Sequence, residues 1–220
     1  MKNGLLIFVG LFTLAALSWA VMLLAPHRQY GGLGPAVDPV EGSVHPYGTS
    51  GLAAQGRLVY QDLGCATCHT QQVRLGTADL ERKWGARPSY ARDYVKDGVV
   101  LLGSSRLGPD LRNVGARLGD VPAAEYAEWF HKVLYAPSSV AARKPAHPFL
   151  YDVRPVNPGQ ASHKALRLTG SAAPAAGFEV VPTPRAEALV AYLTSLKDTY
   201  EYPDETKRNA PPPADQKGGH

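Results

Sequence analysis

The sequence has few cysteines, little net charge and no internal repeat. Its 220 residues include two cysteines, with no second pair to complete a four-ligand structural zinc site. The 23 basic and 19 acidic residues leave a net charge of +4, which argues against a nucleic-acid-binding protein. No nucleophile with its base, pair of carboxylates or phosphate-binding loop stands out, so we expect no catalytic site in this chain. The absence of a repeat predicts a single functional site.

The two cysteines lie in the pentad Cys65-Ala66-Thr67-Cys68-His69, whose Cys-x-x-Cys-His spacing is the attachment site of c-type haem. The two thiols add across the haem vinyl groups, and the adjacent histidine can ligate the iron. A thioredoxin-like dithiol also has Cys-x-x-Cys, but it requires a βαβ context, whereas the flanking sequence is turn-rich and helical. The pentad therefore predicts one covalently bound haem c, attached at Cys65 and Cys68, with His69 as the proximal iron ligand.

Residues 4–25 form an apolar run without a charged side chain. A helix of this length, rising 1.5 Å per residue, can cross a bilayer. A cleaved secretory signal ending near Ser18-Trp19-Ala20 is the alternative, but the run continues past the usual length of a signal's apolar region. We predict an uncleaved transmembrane anchor over residues 1–25. Because c-type haem is attached outside the cytoplasm, we expect a single-pass protein of the bacterial inner membrane, with its haem domain in the periplasm.

The rest of the chain divides by composition. Residues 26–47 are rich in proline and glycine and are predicted to form a linker, whereas residues 48–200 have the length of one ordinary domain. Residues 201–220 contain little that a core could bury, which predicts a disordered tail. We interpret residues 48–200 as the cytochrome c domain.

Apolar residues recur at helical spacing over residues 52–63, 122–134 and 184–196. Thr49 or Ser50 is the predicted N-cap of the first helix, and Thr183 that of the last. In small c-type cytochromes the first and last helices cross, and Gly56 would allow close approach to Tyr192 or Leu193. The apolar stretch at residues 179–181 is too short to predict a strand. The predicted fold is mainly α: one N-terminal transmembrane helix and a class I-like cytochrome c domain with long loops.

Several segments carry a family resemblance that spans about residues 56–150 and includes the anchor. They are Gly56-Arg57-Leu58-Val59-Tyr60, Gly64-Cys65-Ala66-Thr67-Cys68-His69-Thr70-Gln71, Arg106-Leu107-Gly108-Pro109-Asp110-Leu111, Val114-Gly115, Arg117 and Lys144-Pro145-Ala146-His147-Pro148-Phe149-Leu150. In these segments the chain resembles the mono-haem subunit II of cbb(3)-type cytochrome c oxidases. The resemblance implies that the Pro109 carbonyl accepts a hydrogen bond from His69 and so orients it.

The same resemblance implies a function in aerobic respiration. A subunit of this kind would be anchored beside the catalytic haem–copper subunit, accept electrons from another c-type cytochrome and relay them to the oxygen-reducing centre. Chemistry on oxygen would take place in the partner. A haem retained only for structure is a further alternative.

One position departs from the family pattern. Family members have a methionine, the second axial ligand, where this chain has Lys144, and its only methionines are Met1 and Met22 in the predicted membrane anchor. His147 is the first candidate for the distal ligand, because imidazole binds iron without losing a proton at neutral pH. Lys144 is the runner-up, because its amine must first deprotonate from a pKa of about 10.4.

Other options for the distal position follow from the same departure. An iron open on its distal side would favour a membrane-tethered haem-c sensor or gas-binding protein. His163 is an outside candidate ligand. We expect His45 and His131 to be solvated, because the first closely follows the anchor and the second lies off the apolar stripe of its helix.

Overall fold

The computed structural model describes residues 3–76, 78–117, 119–156 and 159–205. Most of the predicted tail, residues 206–220, lies outside the described residues. The described chain forms two compact units. The fold is mainly helical, with one N-terminal helix long and apolar enough to span a membrane, followed by a cytochrome c-like domain; this confirms the predicted fold class.

The first unit comprises the described residues of Met1–Pro46 together with Tyr90–Lys96. Its helix consists of α1 (Gly4–Trp19), a π-helical turn (Ala20–Leu24) and α2 (Ala25–Tyr30), so it continues beyond the predicted end of the anchor. None of its most apolar 18-residue window is buried. Apolar side chains on every face of an unburied helix are what a surrounding bilayer requires.

A small hairpin follows the long helix within the first unit. Strand β1 (Ala36–Val37) pairs antiparallel with β2 (Val44–His45). Because successive residues of a strand point to opposite faces, Val44 is exposed and His45 is 8% exposed, with its Nε2 2.9 Å from Ser43 Oγ. The prediction of a solvated His45 is therefore wrong. In the same unit, Arg92 donates to the Gly34 carbonyl at 2.8 Å.

The second unit comprises Tyr47–Ser89 and the described residues of Asp97–His220. Its helices are α3 (Gly51–Asp62), α4 (Ala78–Glu81), α5 (Ala123–Tyr135) and α6 (Pro184–Ser195). The three predicted helices are confirmed as α3, α5 and α6. Thr183 caps α6 by accepting a hydrogen bond from the Ala186 N–H at 3.3 Å. Short 3-10 helices connect these elements at Cys65–Thr67, Val114–Ala116, Pro137–Val140, Pro148–Leu150 and Gly170–Ala172.

Helices α3 and α6 pack closely at Gly56. A Cβ added to this glycine would lie 1.8 Å from the Ala188 carbonyl oxygen and 2.8 Å from Tyr192 Cβ. The predicted close approach of Gly56 to Tyr192 is confirmed. Tyr60, one turn further along α3, packs edge-on against Tyr192 at a centroid distance of 5.5 Å. The largely aromatic and aliphatic core around this crossing consists of Tyr60, Leu101, Val114, Tyr126, Phe130, Leu134, Leu150, Tyr151, Val180, Ala186, Leu189, Val190, Tyr192, Leu193 and Leu196.

A second hairpin corrects two predictions. Strand β3 (Tyr151–Pro155) pairs antiparallel with β4 (Phe178–Pro182), so residues 179–181 do form a strand. The partner strand is distant in sequence, and no local pattern reveals the pairing. Tyr151 at the start of β3 contacts His131 on α5, with 3.0 Å between Tyr151 Oη and His131 Nδ1. His131 is therefore half-buried rather than solvated, and burial lowers its pKa to about 4.

Candidate haem site

The pentad lies directly after α3. Gly64 adopts the left-handed conformation (φ 66°) that ends the helix, and the 3-10 turn Cys65–Thr67 follows. The His69 N–H donates to the Cys65 carbonyl at 3.0 Å, so the chain remains tightly wound through the pentad. Cys65 and Cys68 are free, half-buried thiols, and burial raises the pKa of Cys65. Two unlinked thiols on one turn, beside a histidine, provide the groups that covalent haem attachment needs.

The His69 imidazole is held from one side by the loop that contains Gly108 and Pro109. Its Nδ1 lies 2.9 Å from the Pro109 carbonyl oxygen, the contact that the resemblance implies. In the neutral ring Nδ1–H donates to this carbonyl, which leaves the Nε2 lone pair free for a metal. Burial lowers the pKa of His69 and favours that neutral form.

Gly108 is required for this contact. A Cβ at position 108 would lie 2.3 Å from His69 Cε1 and 2.6 Å from His69 Nδ1. Any side chain larger than hydrogen would therefore displace the ring. The Gly108 N–H also donates to the Cys68 carbonyl at 3.0 Å, which connects the loop to the pentad.

The distal candidates Lys144 and His147 lie beside each other. Lys144 Nζ is 2.8 Å from the Pro145 carbonyl oxygen, 3.3 Å from the Val133 carbonyl oxygen and 3.2 Å from His147 Nδ1. Burial lowers the pKa of both side chains. The Lys144 charge lowers the pKa of His69. It also lowers the pKa of Cys65, but burial raises that pKa by more. The structure thus brings Lys144 and His147 together near the pentad.

The other histidine options are not part of this cluster. His163 is exposed on the segment between β3 and β4. His45 belongs to the β1–β2 hairpin, and His131 contacts Tyr151. Among the residues that the structure describes, no group of three or more His, Cys, Asp or Glu side chains is arranged to hold a bare metal ion.

Arg117 is a site residue to which the sequence interpretation assigned no role. Its Nη2 contacts the Asp110 carbonyl oxygen and donates to the Trp84 carbonyl at 3.2 Å. Its Nε is buried and has no hydrogen-bond partner within the described ranges. The Arg117 charge lowers the pKa of His69. A haem brings carboxylates, and this unpaired cationic donor could bind one.

These residues together fit a c-type haem: two free thiols, an oriented imidazole and a half-buried cation. A comparison with protein families agrees with this fit. The family model described as "Cytochrome C oxidase, mono-heme subunit/FixO" matches residues 33–170, more than half of the chain. The matched range includes the pentad, the Gly108–Pro109 loop and the segment with Lys144 and His147. No curated protein matches the chain.

Proposed function

The chain belongs to the mono-haem subunit family of cytochrome c oxidase, and from this premise we propose that it relays electrons to the catalytic subunit of a cbb(3)-type haem–copper terminal oxidase. Membership of this family implies electron transfer. The proposal adds the specific partner, a second c-type cytochrome as electron donor, and a role in aerobic respiration. It also includes a single span in the bacterial inner membrane, with the haem domain in the periplasm.

The observation that carries the proposal is the 2.9 Å contact between His69 Nδ1 and the Pro109 carbonyl oxygen at the end of the pentad. This contact orients the imidazole, strengthens it as a ligand and leaves Nε2 free for iron. Cys65 and Cys68 would attach the haem through thioether bonds, and Gly108 leaves room for the His69 imidazole. A haem c bound here supplies one-electron redox chemistry. The roles of these residues are part of the proposal.

We assign the distal position to His147, with Lys144 as the runner-up. The Lys144 ammonium is already bound by the carbonyl oxygens of Val133 and Pro145, so ligating iron would cost both hydrogen bonds. The His147 backbone lies against the end of α5, because its N–H donates to the Leu134 carbonyl at 2.7 Å. This bond fixes its backbone beside Lys144, and the imidazole needs no deprotonation to bind iron at neutral pH.

The proposed function is tested on the full chain co-produced with a cbb(3)-type catalytic subunit in a host that attaches c-type haem. The chain should copurify with that subunit and have the mass of the polypeptide plus one haem. When the reduced complex is mixed with oxygen, the c-haem should become oxidised, as followed by its absorbance. The rate of this oxidation should be at least the steady-state turnover rate. The matched control is Cys65→Ser/Cys68→Ser, which removes both attachment sites. A bare polypeptide mass would refute the haem assignment, and a c-haem that stays reduced during oxygen consumption would refute the relay.

A haem-c sensor or gas-binding protein is the second candidate, and the substitution at position 144 is the observation that favours it. Without methionine ligation, a small ligand has less competition for the distal face of the iron. Rapid carbon monoxide binding by the reduced wild-type chain would support this function. Slow binding would support the relay, because a six-coordinate iron reorganises little between its oxidation states.

A further inference from the structure

Asp110 is a fully buried carboxylate, with 0% exposure, directly after Pro109. Its Oδ2 accepts hydrogen bonds from Thr70 Oγ1 at 2.6 Å and from the Gln72 N–H at 2.7 Å. Its Oδ1 accepts from the Arg112 N–H at 2.9 Å. Three donors at these distances fix the orientation of the carboxylate, because both of its oxygens are bonded.

The hydrogen bonds of Asp110 connect the two segments that make the His69–Pro109 contact. Asp110 is the neighbour of Pro109, and Thr70 is the neighbour of His69. The Leu111 N–H adds a backbone bond to the Thr70 carbonyl at 2.8 Å. A change at Asp110 would therefore alter the position of the Pro109 carbonyl relative to the His69 ring.

The counter-charge of Asp110 is shared with a second carboxylate. Arg106 forms a bidentate pair with Asp79, with nitrogen–oxygen distances of 2.9 and 2.7 Å, while its Nη2 is 3.8 Å from Asp110 Oδ2. Asp79 is also buried, at 2% exposure. One arginine thus faces two buried carboxylates, and Arg117, which contacts the Asp110 carbonyl oxygen, adds a second positive charge nearby.

The two carboxylates differ in the segments to which they are bonded. Asp110 accepts from Thr70 and Gln72, just after His69, whereas Asp79 accepts from the Arg74 N–H and pairs with Arg106. The two aspartates therefore form a matched pair. They have the same charge, similar burial and the same arginine partner, but only Asp110 directly follows Pro109 in the chain.

We propose that Asp110 is a positioning residue that lowers the reduction potential of the haem, by fixing the Pro109 carbonyl against His69 and by placing a buried negative charge on the proximal side. The inference rests on the proposed function, because it assumes that a haem is bound at His69. The oxidised iron has one more positive charge than the reduced iron, so a nearby buried anion stabilises the oxidised form. A firm imidazole hydrogen bond acts in the same direction, because it raises the basicity of the ligand.

The test is a potentiometric titration of the haem absorbance in the full, detergent-solubilised chain, after each variant has been shown by mass to contain covalent haem. Asp110→Asn should raise the midpoint potential. The matched control Asp79→Asn should produce a clearly smaller shift. Arg106→Gln removes the shared cation and should move the potential downwards. A general loosening of the fold would not shift the potentials of Asp110→Asn and Arg106→Gln in opposite directions. Exposure of the haem to water would change the potential of every variant in the same direction.

The outcomes separate this inference from the function on which it rests. Wild-type protein without haem would refute the proposed function. Haem-containing variants in which Asp110→Asn and Asp79→Asn shift the potential equally, or Asp110→Asn does not shift it, would overturn only the role of Asp110. If Asp110→Asn does not mature, Thr70→Val decides: it removes the 2.6 Å hydrogen bond to Asp110 Oδ2 and should raise the potential, and an unchanged or lower potential overturns the inference.

Discussion

The packing of α3 on α6 predicts a large cost for the smallest possible substitution, Gly56→Ala. The added Cβ would meet the Ala188 carbonyl oxygen at 1.8 Å and the Ala188 carbonyl carbon at 2.4 Å. Both are backbone atoms of the opposite helix and cannot rotate aside. The helices would have to separate, which would loosen the contact between Tyr60 and Tyr192.

The size of the effect follows from two opposing terms. Overpacking a core costs about 1–3 kcal/mol, and a clash with backbone belongs at the upper end, at about 3 kcal/mol. Alanine has a better helix propensity than glycine by about 1 kcal/mol, which offsets part of this cost. We therefore expect Gly56→Ala to lower the free energy of unfolding by about 2 kcal/mol.

The assay is a urea titration of the haem-containing full chain in detergent, followed by the haem absorbance. The midpoint should fall while the slope stays constant, which indicates a change in stability alone. Gly98→Ala is the control, because no atom lies within 4 Å of an added Cβ there and its φ is not positive. Equal midpoints for the two variants would refute the close packing of α3 on α6 at Gly56.

Three further predictions concern the iron, the pH dependence and the membrane. His147→Ala should retain covalent haem but give a high-spin spectrum and faster carbon monoxide binding, while Lys144→Ala changes little; the reverse pattern would make Lys144 the distal ligand. The folded-state pKa of His131, about 4, lies below the unfolded value of about 6.5, so its contribution to stability is complete above pH 6.5 and is lost as the pH falls towards 4. The loss should reach at most about 3 kcal/mol in urea titrations across this range, and His131→Gln should remove it. Finally, the chain should stay in the membrane fraction after salt washing, and recovery of a soluble form that begins near Val21 would indicate a cleaved signal instead.

Much of the fold and the centre of the site could be predicted because they depend on residues close together in the chain. The apolar spacing and the Thr183 cap predicted α6, and the same spacing predicted α3 and α5. The pentad predicts the attachment and proximal residues within five positions, and the lack of charge over residues 4–25 correctly predicted the long apolar helix. The resemblance added Pro109, which lies 40 residues from His69 and which no local pattern would have connected to it. The domain boundaries and the roles of the site residues remain predictions.

The surroundings of the site were decided by contacts between residues distant in sequence. The pairing of β3 with β4 has no local signal, because each strand is short and gains its stability from the other. That hairpin brings Tyr151 against His131 and so buries a histidine that the helix pattern placed in solvent. Asp110 had no separate role predicted from its sequence position, and the fold surrounds its carboxylate with donors from Thr70 and Gln72. A side chain's burial and its electrostatic effect depend on the whole set of neighbours in space, and only the tertiary structure specifies that set.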